Sequence, residues 1–280
     1  MKKISRRSFL AAAAVSAAAL ALTACGGSAS TASSAAASSV AASSEAASTS
    51  AAAAELTTVE AGKLTMATNA TFPPYEMTTD AGTIEGIDVD TAQAIAEKLG
   101  LELQIDDMDF DAALLSVQQG KADIAMAGIT VTDERMAVMS FSDSYATGIQ
   151  SIIVPEGSDI ASVDDLAGKK IGTQRGTTGY IYCSDDFGDD AVVAYDDGLT
   201  AVQALKNGQV DAVVIDNAPA KEYVAANPGL VILDTSYAEE DYAIGMAKGS
   251  ALEDAVNAAL EELKADGTLQ SIVDKYITAE

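Results

Sequence analysis

The chain of 280 residues contains no histidine and only two cysteines, and these absences exclude several kinds of chemistry. Without histidine, neither a Ser-His-Asp triad nor most zinc sites can form, and we expect no metal site and no cofactor. If Cys25 is modified, as argued below, Cys183 has no partner for an internal disulfide. We expect Cys183 to be a structural thiol, because no histidine is present to activate it.

Positive charge is also scarce. The chain has 16 Lys and Arg residues against 42 Asp and Glu residues, a formal charge of −26 at pH 7 and a pI near 4.1. Nucleic acid is therefore not an expected partner, because phosphate binding needs clustered Lys and Arg. The phosphate-loop pattern G-x-x-x-x-G-K-[ST] is absent too, which leaves nucleotide binding unsupported.

A convincing membrane span is missing as well. The opening "MKKISRRSFLAAAAVSAAALALTAC" has a basic start and an apolar stretch that is short and alanine-rich, which predicts a secretory leader over residues 1–25. Its end, "LTAC", resembles the bacterial lipobox, which implies a diacylated Cys25 anchored to the outer face of the cell membrane. An ordinary leader with a chance cysteine is the alternative. "SRRSFL" also resembles a twin-arginine signal, so the export route stays open.

Residues 26–60 consist almost entirely of Ala, Ser, Thr and Gly, with Glu45, Glu55 and Glu60 as the charged residues. Little in this segment can nucleate a core. We therefore predict a disordered tether between the leader and a folded body.

After the tether, short apolar runs alternate with helix-length amphipathic segments. "KLTMATN" (63–69) predicts a strand, and "DVDTAQAIAEKLG" (88–100) predicts a helix that stops at Gly100. "LLSVQQGKADIAMAG" and "AVQALKNGQVDAVVID" share one pattern: an apolar helix, a glycine, an aspartate (Asp123 or Asp211) and a small-residue strand. This alternation predicts an α/β protein with largely parallel sheets, and its recurrence suggests two similar lobes.

The last long segment, "SALEDAVNAALEELKADG", predicts a helix that docks on the core. Ser250 would be its N-cap, Glu253 would complete a capping box, and Gly267 would end it. The apolar residues of one face are Leu252, Val256, Leu260 and Leu263.

Arg135 is one of only two arginines after the leader. It follows the predicted strand "ADIAMAG" and the segment "TVTDE", where Thr130 or Thr132 can cap a helix turn. Ligands collect at the carboxyl ends of parallel strands, and a guanidinium matches a carboxylate best. The alternative is a surface salt bridge to one of the nearby acids Asp133, Glu134 and Asp143.

The other arginine, Arg175, lies in "IGTQRGTTGY" (171–180), a predicted strand that runs into a glycine-flanked turn whose N–H groups suit an anion. We assign Arg175 itself to the surface, because Gln174 and Thr178 are better placed for a pocket. "VVIDNAP" places Asp216 at another strand end, where it can pair with an ammonium group or cap the following helix. Together these groups describe a zwitterion site.

At these residues the chain closely resembles the family 3 solute-binding proteins of ABC importers, the polar amino-acid binding proteins. The resemblance runs from about Lys63 to Ile277. The segments that carry it, in the family's order and spacing, are "ATNATFPPYEM", "GTIEGIDVDTAQAIAEKLG", "GKADIAMAGITVTDERMAVMSFSDSY", "LAGKKIGTQRGTTG", "QVDAVVIDNAPA" and "LKADGTLQSIVDKY".

The resemblance implies a two-lobed flytrap of the periplasmic-binding-protein-like type II fold. Lobe 1 is expected over residues 61–149 and 244–280, lobe 2 over residues 150–243, and hinge segments near 148–153 and 239–245. It also implies a monomeric lipoprotein that captures an amino acid and delivers it to an ABC permease and ATPase.

For the backbone part of the ligand, the resemblance implies that Arg135 clamps the α-carboxylate with backbone donors at Thr130 and Thr178. It further implies that Asp216 takes the α-ammonium group, together with the carbonyl of Gly128 and the hydroxyl of Thr130.

For the side chain of the ligand, the resemblance implies that Phe72 and Phe110 sandwich it and that Asn69 and Gln174 face it. Taken singly, each aromatic residue could simply fill core. The pocket would suit glutamine, cystine or a basic side chain stacked between the rings.

Two other functions remain open. Related flytraps include cyclohexadienyl dehydratases, but the chain has no histidine and no obvious paired carboxylates for acid–base work, so we expect a binding protein and no enzyme. A sensor lipoprotein that binds an amino acid without transport is the other alternative.

Overall fold

The computed structural model describes residues 56–277. The predicted leader, Cys25 and residues 26–55 of the predicted tether lie outside the described residues, as do residues 278–280. Within residues 56–277, no helix is both long and apolar enough to cross a membrane.

The strands in chain order are β1 (Lys63–Thr68), β2 (Thr71–Phe72), β3 (Glu76–Thr78), β4 (Ile84–Glu85), β5 (Glu102–Asp107), β6 (Ile124–Ala125), β7 (Met139–Phe141), β8 (Ala146–Pro155), β9 (Ile171–Gln174), β10 (Val192–Tyr195), β11 (Ala212–Asp216), β12 (Leu230–Tyr242) and β13 (Gly245–Ala247). The α-helices are α1 (Ile87–Leu99), α2 (Phe110–Gln118), α3 (Asp133–Val138), α4 (Thr178–Phe187), α5 (Gly198–Lys206), α6 (Asn217–Ala226), α7 (Glu253–Ala265) and α8 (Thr268–Tyr276). Short 3₁₀ helices span Val163–Leu166 and Asp189–Ala191.

Two five-stranded sheets define two lobes. The lobe 1 sheet has the order β5-β1-β6-β13-β7, and the lobe 2 sheet has the order β10-β9-β11-β8-β12. In each sheet the first three strands are parallel to one another, and the fourth strand, β13 in lobe 1 or β8 in lobe 2, is antiparallel to both of its neighbours. The prediction of an α/β protein with two similar lobes is confirmed. The sheets are less parallel than expected, because β8 and β13, each the first strand after a crossing between the lobes, run antiparallel to their neighbours.

The chain crosses between the lobes twice, at residues 142–145 and at residues 243–244. Strand β8 pairs with β12 from Ala146 to Pro155, but β11 joins it only from Gln150 onward. The first residues of β8 and the last of β12 thus form a two-stranded ribbon beside the crossings. The first expected hinge, residues 148–153, lies inside β8, and the second, residues 239–245, covers the end of β12 and the crossing after it.

Helix α1 shows how local sequence determines its own boundaries. It buries Val89, Ala92 and Ile95 against lobe 1 and ends at Gly100, whose left-handed φ of 71° closes the last turn. Its N-cap, Gly86, has a φ of 144° and packs so tightly on the backbone of Tyr75 that a Cβ atom would clash. A glycine is therefore required where the three-stranded sheet β2-β3-β4 leads into α1.

Helix α7 begins later than the capping pattern predicts. The prediction that Ser250 caps it is wrong: Ser250 starts a turn, its hydroxyl accepts the backbone N–H of Leu252 at 3.2 Å, and the helix begins at Glu253. The expected apolar face is confirmed, because Val256, Leu260 and Leu263 are buried. Packing of this face, and not the cap, therefore holds the helix in place.

The last residues assigned to the tether pack on the folded body. Leu56 contacts the main hydrophobic core, and the N–H of Val59 donates to Asp123 at 2.8 Å. The second oxygen of Asp123 accepts the N–H of Thr65 in β1, and Asp211 accepts the N–H of Lys170 before β9, at 2.8 and 2.7 Å. The aspartate that recurs in the sequence thus anchors the backbone beside a parallel strand in each lobe.

Cys183 lies in α4 and is fully buried. Burial raises the pKa of its thiol to about 12. A thiol that stays protonated is a poor nucleophile, as expected for a structural residue.

Candidate functional site

The site is a cavity between the two lobes, with about 330 Å³ of empty space that includes open solvent at its mouth. It lies at the carboxyl ends of the parallel strands, where β1, β5 and β9 release the chain into loops and helix starts. Eight of the nine predicted ligand-binding residues line it: Asn69, Phe72, Phe110, Gly128, Thr130, Arg135, Gln174 and Thr178. The ninth, Asp216, does not line the cavity; it is hydrogen-bonded to Tyr242, which does.

Arg135 is positioned by the first turn of α3. Thr132 caps this helix and accepts the N–H of Arg135 at 3.2 Å. The guanidinium donates to the carbonyl oxygens of Thr130 at 2.8 Å and of Gly176 at 3.1 Å, and it lies 5.4 Å from the centre of the Phe110 ring. Only 8% of the residue is exposed. The alternative of a surface salt bridge therefore does not hold within residues 56–277.

The opposite lobe presents the start of α4 to Arg135. Thr177 caps this ten-residue helix and accepts the N–H of Tyr180 at 3.4 Å. The hydroxyl of Thr178, the first helical residue, is 3.4 Å from that of Thr130 across the cleft. A helix start carries partial positive charge. With the guanidinium beside it, this end of the cavity suits an anion such as a carboxylate.

Asn69 and Gln174 meet across the cleft at the polar end of the cavity. The side-chain amide of Gln174 donates to Asn69 Oδ1 at 2.8 Å, and the amide of Asn69 donates to the carbonyl of Met108 at 3.0 Å. Because the two residues belong to different lobes, this hydrogen bond helps to hold the cleft closed. Either amide can turn toward a ligand group instead.

Phe72 and Phe110 line the cavity and also belong to the hydrophobic core. The two alternatives for these residues, contact with a ligand and packing in the core, are therefore compatible. Phe72 stacks on Tyr75 with ring centres 5.7 Å apart, and Phe110 lies beneath the Arg135 guanidinium. Both are more than nine-tenths buried. Their ring faces give the cavity two apolar walls.

Asp216 ends β11 and caps α6, which is the alternative left open by the sequence. Its Oδ1 accepts the N–H of Ala218 at 3.0 Å, and its Oδ2 accepts the N–H of Ile149 and the hydroxyl of Tyr242, each at 2.8 Å. Burial raises its pKa to about 6. Tyr242 itself lines the cavity, so Asp216 is linked to the cavity through this hydroxyl.

The sequence alone did not reveal Glu240. This residue is 6% exposed at the end of β12, and its Oε2 accepts the hydroxyl of Thr130 at 3.1 Å and the amide of Gln150 at 2.9 Å. Burial lowers the pKa of Arg135, and the charge of Glu240 opposes that shift. In the sequence Glu240 belongs to the acidic run "AEEDY", which resembles a solvated surface, so no local signal marks it.

Glu76 was missed as well. It lies at the start of β3, is completely buried and lines the cavity. Burial, reinforced by the charge of neighbouring Asp88, raises its pKa well above the ordinary value. The only sequence signal was its place inside the quoted segment "ATNATFPPYEM".

Known proteins resemble this chain over its whole folded body. Residues 64–279 match the family described as bacterial extracellular solute-binding proteins, family 3. The L-cystine-binding protein TcyJ of Escherichia coli (strain K12) is 32% identical over 226 residues, which cover 79% of this chain and 85% of TcyJ. The arginine-binding extracellular protein ArtP of Bacillus subtilis (strain 168) is 33% identical over 230 residues, 78% of this chain and 87% of ArtP.

Among solved structures, the arginine-, lysine-, histidine-binding protein ArtJ from Geobacillus stearothermophilus superposes with a TM-score of 0.75 at 35% identity. The match covers 78% of this chain and 96% of that chain.

Proposed function

Because the chain belongs to the bacterial extracellular solute-binding proteins of family 3, we propose that its closed cleft holds a polar or basic amino acid for delivery to an ABC importer. The observation that carries this proposal is the buried guanidinium of Arg135, which faces a helix start across a cavity. A buried charge without a carboxylate partner is costly. A ligand carboxylate supplies that partner.

In the proposed complex, Arg135 and the start of α4 at Thr178 hold the α-carboxylate. The α-ammonium group lies near the carbonyl of Gly128 and the hydroxyl of Thr130. The Thr130 hydroxyl donates to Glu240 and lies 3.4 Å from the Thr178 hydroxyl, which is then the donor to it. The second lone pair of the Thr130 oxygen can therefore accept from an ammonium group. Asp216 acts on the ammonium group through the hydroxyl of Tyr242.

The ligand side chain extends between Phe72 and Phe110 toward Asn69 and Gln174. These residues offer aromatic faces and neutral amides, which suit both polar and basic side chains. The relatives named above bind cystine, arginine, lysine and histidine according to their descriptions, a range that fits this arrangement.

Closure of the cleft is proposed to be driven by the ligand. A ligand shifts a conformational equilibrium only when it contacts the closed state better than the open one, and this ligand would touch both lobes. Direct bonds between the lobes add to this: Arg135 donates to Gly176, and Tyr223 donates to the carbonyl of Thr71. We place the hinge in the ribbon formed by β8 and β12 and the adjacent crossings.

Residues 61–149 with 244–280 and residues 150–243 are the proposed lobes. We further propose that the protein is a monomeric lipoprotein tethered outside the membrane by diacylated Cys25 and a spacer over most of residues 26–60. Labelling with a radioactive fatty acid should mark the wild-type protein and leave Cys25→Ala unlabelled. Label retained in that variant would contradict the anchor.

A dehydratase-like activity is the alternative function, and one observation favours it. Glu76 and Asp88 form a buried pair of carboxyl groups at the cavity, and such chemistry needs a positioned acid. We propose that the pair serves binding and that the protein is not an enzyme. Product formed from prephenate or arogenate would overturn this part of the proposal.

The proposed function is tested by calorimetric titration of the purified protein against the twenty amino acids and cystine. Tight binding of one or a few of them is expected, and it should be lost in Arg135→Ala. If the folded protein binds none of these compounds, the receptor function is refuted.

A further inference from the structure

Glu240 is a buried carboxylate at the end of β12, in the ribbon beside the crossings between the lobes. It is 6% exposed, and it forms no ion pair with any residue of the described range 56–277. Burying a carboxylate costs free energy unless hydrogen-bond donors or a cation compensate it. The groups that approach Glu240 therefore indicate what this charge serves.

Both side chains that donate to Glu240 line the ligand cavity. Its Oε2 accepts the hydroxyl of Thr130 at 3.1 Å and the amide of Gln150 at 2.9 Å. Asp216, to which the family resemblance assigns the ammonium group, accepts two backbone N–H groups and only one lining side chain, Tyr242. Glu240 is thus coupled to the cavity wall through more side chains than Asp216 is.

A carboxylate oxygen only accepts hydrogen bonds, so Glu240 fixes the direction of both contacts. Thr130 has to point its one hydroxyl hydrogen at Glu240, which leaves its two lone pairs for Thr178 across the cleft and for a group in the cavity. Gln150 has to point its NH₂ group at Glu240, which directs its Oε1 toward Gly179 in the first turn of α4. The Thr130 oxygen therefore presents an acceptor to the cavity, which suits a donor such as an ammonium group.

Thr130 also lies between two opposite charges. Its carbonyl oxygen accepts from the guanidinium of Arg135 at 2.8 Å, and its hydroxyl donates to Glu240. Of the charges around Arg135, that of Glu240 has the largest effect on its pKa, which it raises against the effect of burial. A zwitterion with its carboxylate at Arg135 and its ammonium group at Thr130 places each of its charges nearest the opposite one.

Tyr182 of α4 is the neighbour of Glu240 on the lobe 2 side. Burial raises the pKa of the Tyr182 hydroxyl, and the charge of Glu240 adds to that shift. This hydroxyl thus stays protonated and brings no second negative charge to the ammonium end of the cavity. The negative charge behind Thr130 is that of Glu240.

We propose that Glu240 is a positioning residue for the α-ammonium group of the ligand, and that it makes the site select α-amino acids over their α-hydroxy analogues. It acts without touching the ligand: it holds the Thr130 hydroxyl as an acceptor and supplies the negative charge behind it. This inference rests on the proposed function and adds a specificity-determining residue to it.

The test compares L-arginine with argininic acid, in which a hydroxyl group replaces the α-ammonium group, and L-glutamine with its α-hydroxy analogue. Calorimetry on the purified wild-type protein near pH 7 should give each amino acid an affinity at least about 100-fold higher than that of its analogue. Glu240→Gln keeps the shape of the side chain and removes its charge. It should reduce this ratio at least about tenfold, because only the amino acid loses a charge interaction.

The ratio is the readout that a merely structural role would not move, since general damage to the cleft weakens both compounds alike. The matched control is Glu239→Gln, the exposed neighbour in β12, which should keep the wild-type ratio. Thr130→Val removes the hydroxyl through which Glu240 acts, so the double variant should show the ratio of Thr130→Val alone. Should Glu240→Gln not fold, Glu240→Met replaces it as the charge-free variant.

The outcomes separate this inference from the proposed function. If the amino acids bind and folded Glu240→Gln keeps the wild-type ratio, the receptor function stands and the role of Glu240 is refuted. A ratio that collapses in Asp216→Asn and not in Glu240→Gln refutes it too, as do additive losses in the double variant with Thr130→Val. If neither arginine nor glutamine binds, this inference fails, and the panel of twenty amino acids and cystine decides whether the receptor function fails with it.

Discussion

Replacement of Arg135 by alanine is the sharpest test of the site. The substitution removes a guanidinium that is 8% exposed and makes two hydrogen bonds, one within lobe 1 to Thr130 and one across the cleft to Gly176. It also removes the cation over the Phe110 ring. A bound carboxylate would then be buried opposite two carbonyl oxygens with no positive charge beside it.

The expected loss follows from this arrangement. Removing one partner of a buried, hydrogen-bonded charge pair costs about 2 to 5 kcal/mol of binding free energy, which corresponds to roughly 30-fold to several thousand-fold in Kd. For a micromolar ligand the total is on the order of 8 kcal/mol, so the variant would keep only weak binding. The lost bond to Gly176 also weakens closure.

Arg175→Ala is the matched control, because it removes the other arginine near the cleft. The side chain of Arg175 is 57% exposed and lies 3.6 Å from the exposed carboxylate of Asp196. Exposed ion pairs of this kind contribute little, so its affinity should stay within about threefold of wild type. Calorimetry measures both variants, and circular dichroism checks that each is folded.

The reasoning is refuted if folded Arg135→Ala binds within threefold of wild type. Equal losses in Arg135→Ala and Arg175→Ala would refute it too, because a general electrostatic effect would then explain the data better than a specific contact. Arg135→Lys should recover only part of the affinity, since an ammonium group lacks the planar fork of donors.

Three further predictions concern stability and closure. Burial raises the pKa values of Asp88 and Asp216 to about 6, so the folded state holds protons that the unfolded state has lost between about pH 4 and 6. The Tm of the ligand-free protein should therefore be higher at pH 5 than at pH 7.5 in scanning calorimetry, and a Tm that rises with pH would contradict this. Gly86→Ala should lower the free energy of unfolding by at least about 2 kcal/mol, because of its φ of 144° and the backbone against it, and a urea midpoint equal to wild type would show that the strain is absent. Tyr223→Phe removes the bond to Thr71 between the lobes and should weaken ligand binding about 2- to 10-fold through faster dissociation, whereas an unchanged off-rate in stopped flow would mean that this bond does not hold the closed state.

Much of the fold could be predicted because its signals are local. The period of apolar residues defined α1 and the buried face of α7, and Gly100 ended α1 as expected. The capping prediction at Ser250 failed because a short turn and a helix start use the same residues, and only packing on the core decides where the helix begins. The hinge positions came from the family resemblance alone and stay a prediction, because no local pattern in the sequence marks a hinge.

The candidate site divides in a similar way. Residues at the ends of parallel strands could be found, because a parallel sheet brings such ends together, and this placed Arg135, Asn69 and Gln174 at one cavity. Glu240 could not be found, because its burial depends on Thr130 and Gln150, which come from distant parts of the chain.

By itself, the sequence determined the apolar periodicity of the helices and the two-lobed α/β class. It also determined that Arg135, Asn69 and Gln174 lie at or after the ends of strands. These features follow from short-range geometry and from the resemblance of long, ordered segments. Only the tertiary structure decided that Asp216 caps a helix and accepts the hydroxyl of Tyr242, and that Glu76 and Asp88 are buried next to each other. The physical reason is that burial and charge balance depend on what surrounds a residue in space, and a carboxylate looks the same in sequence whether water or a second carboxylate is its neighbour.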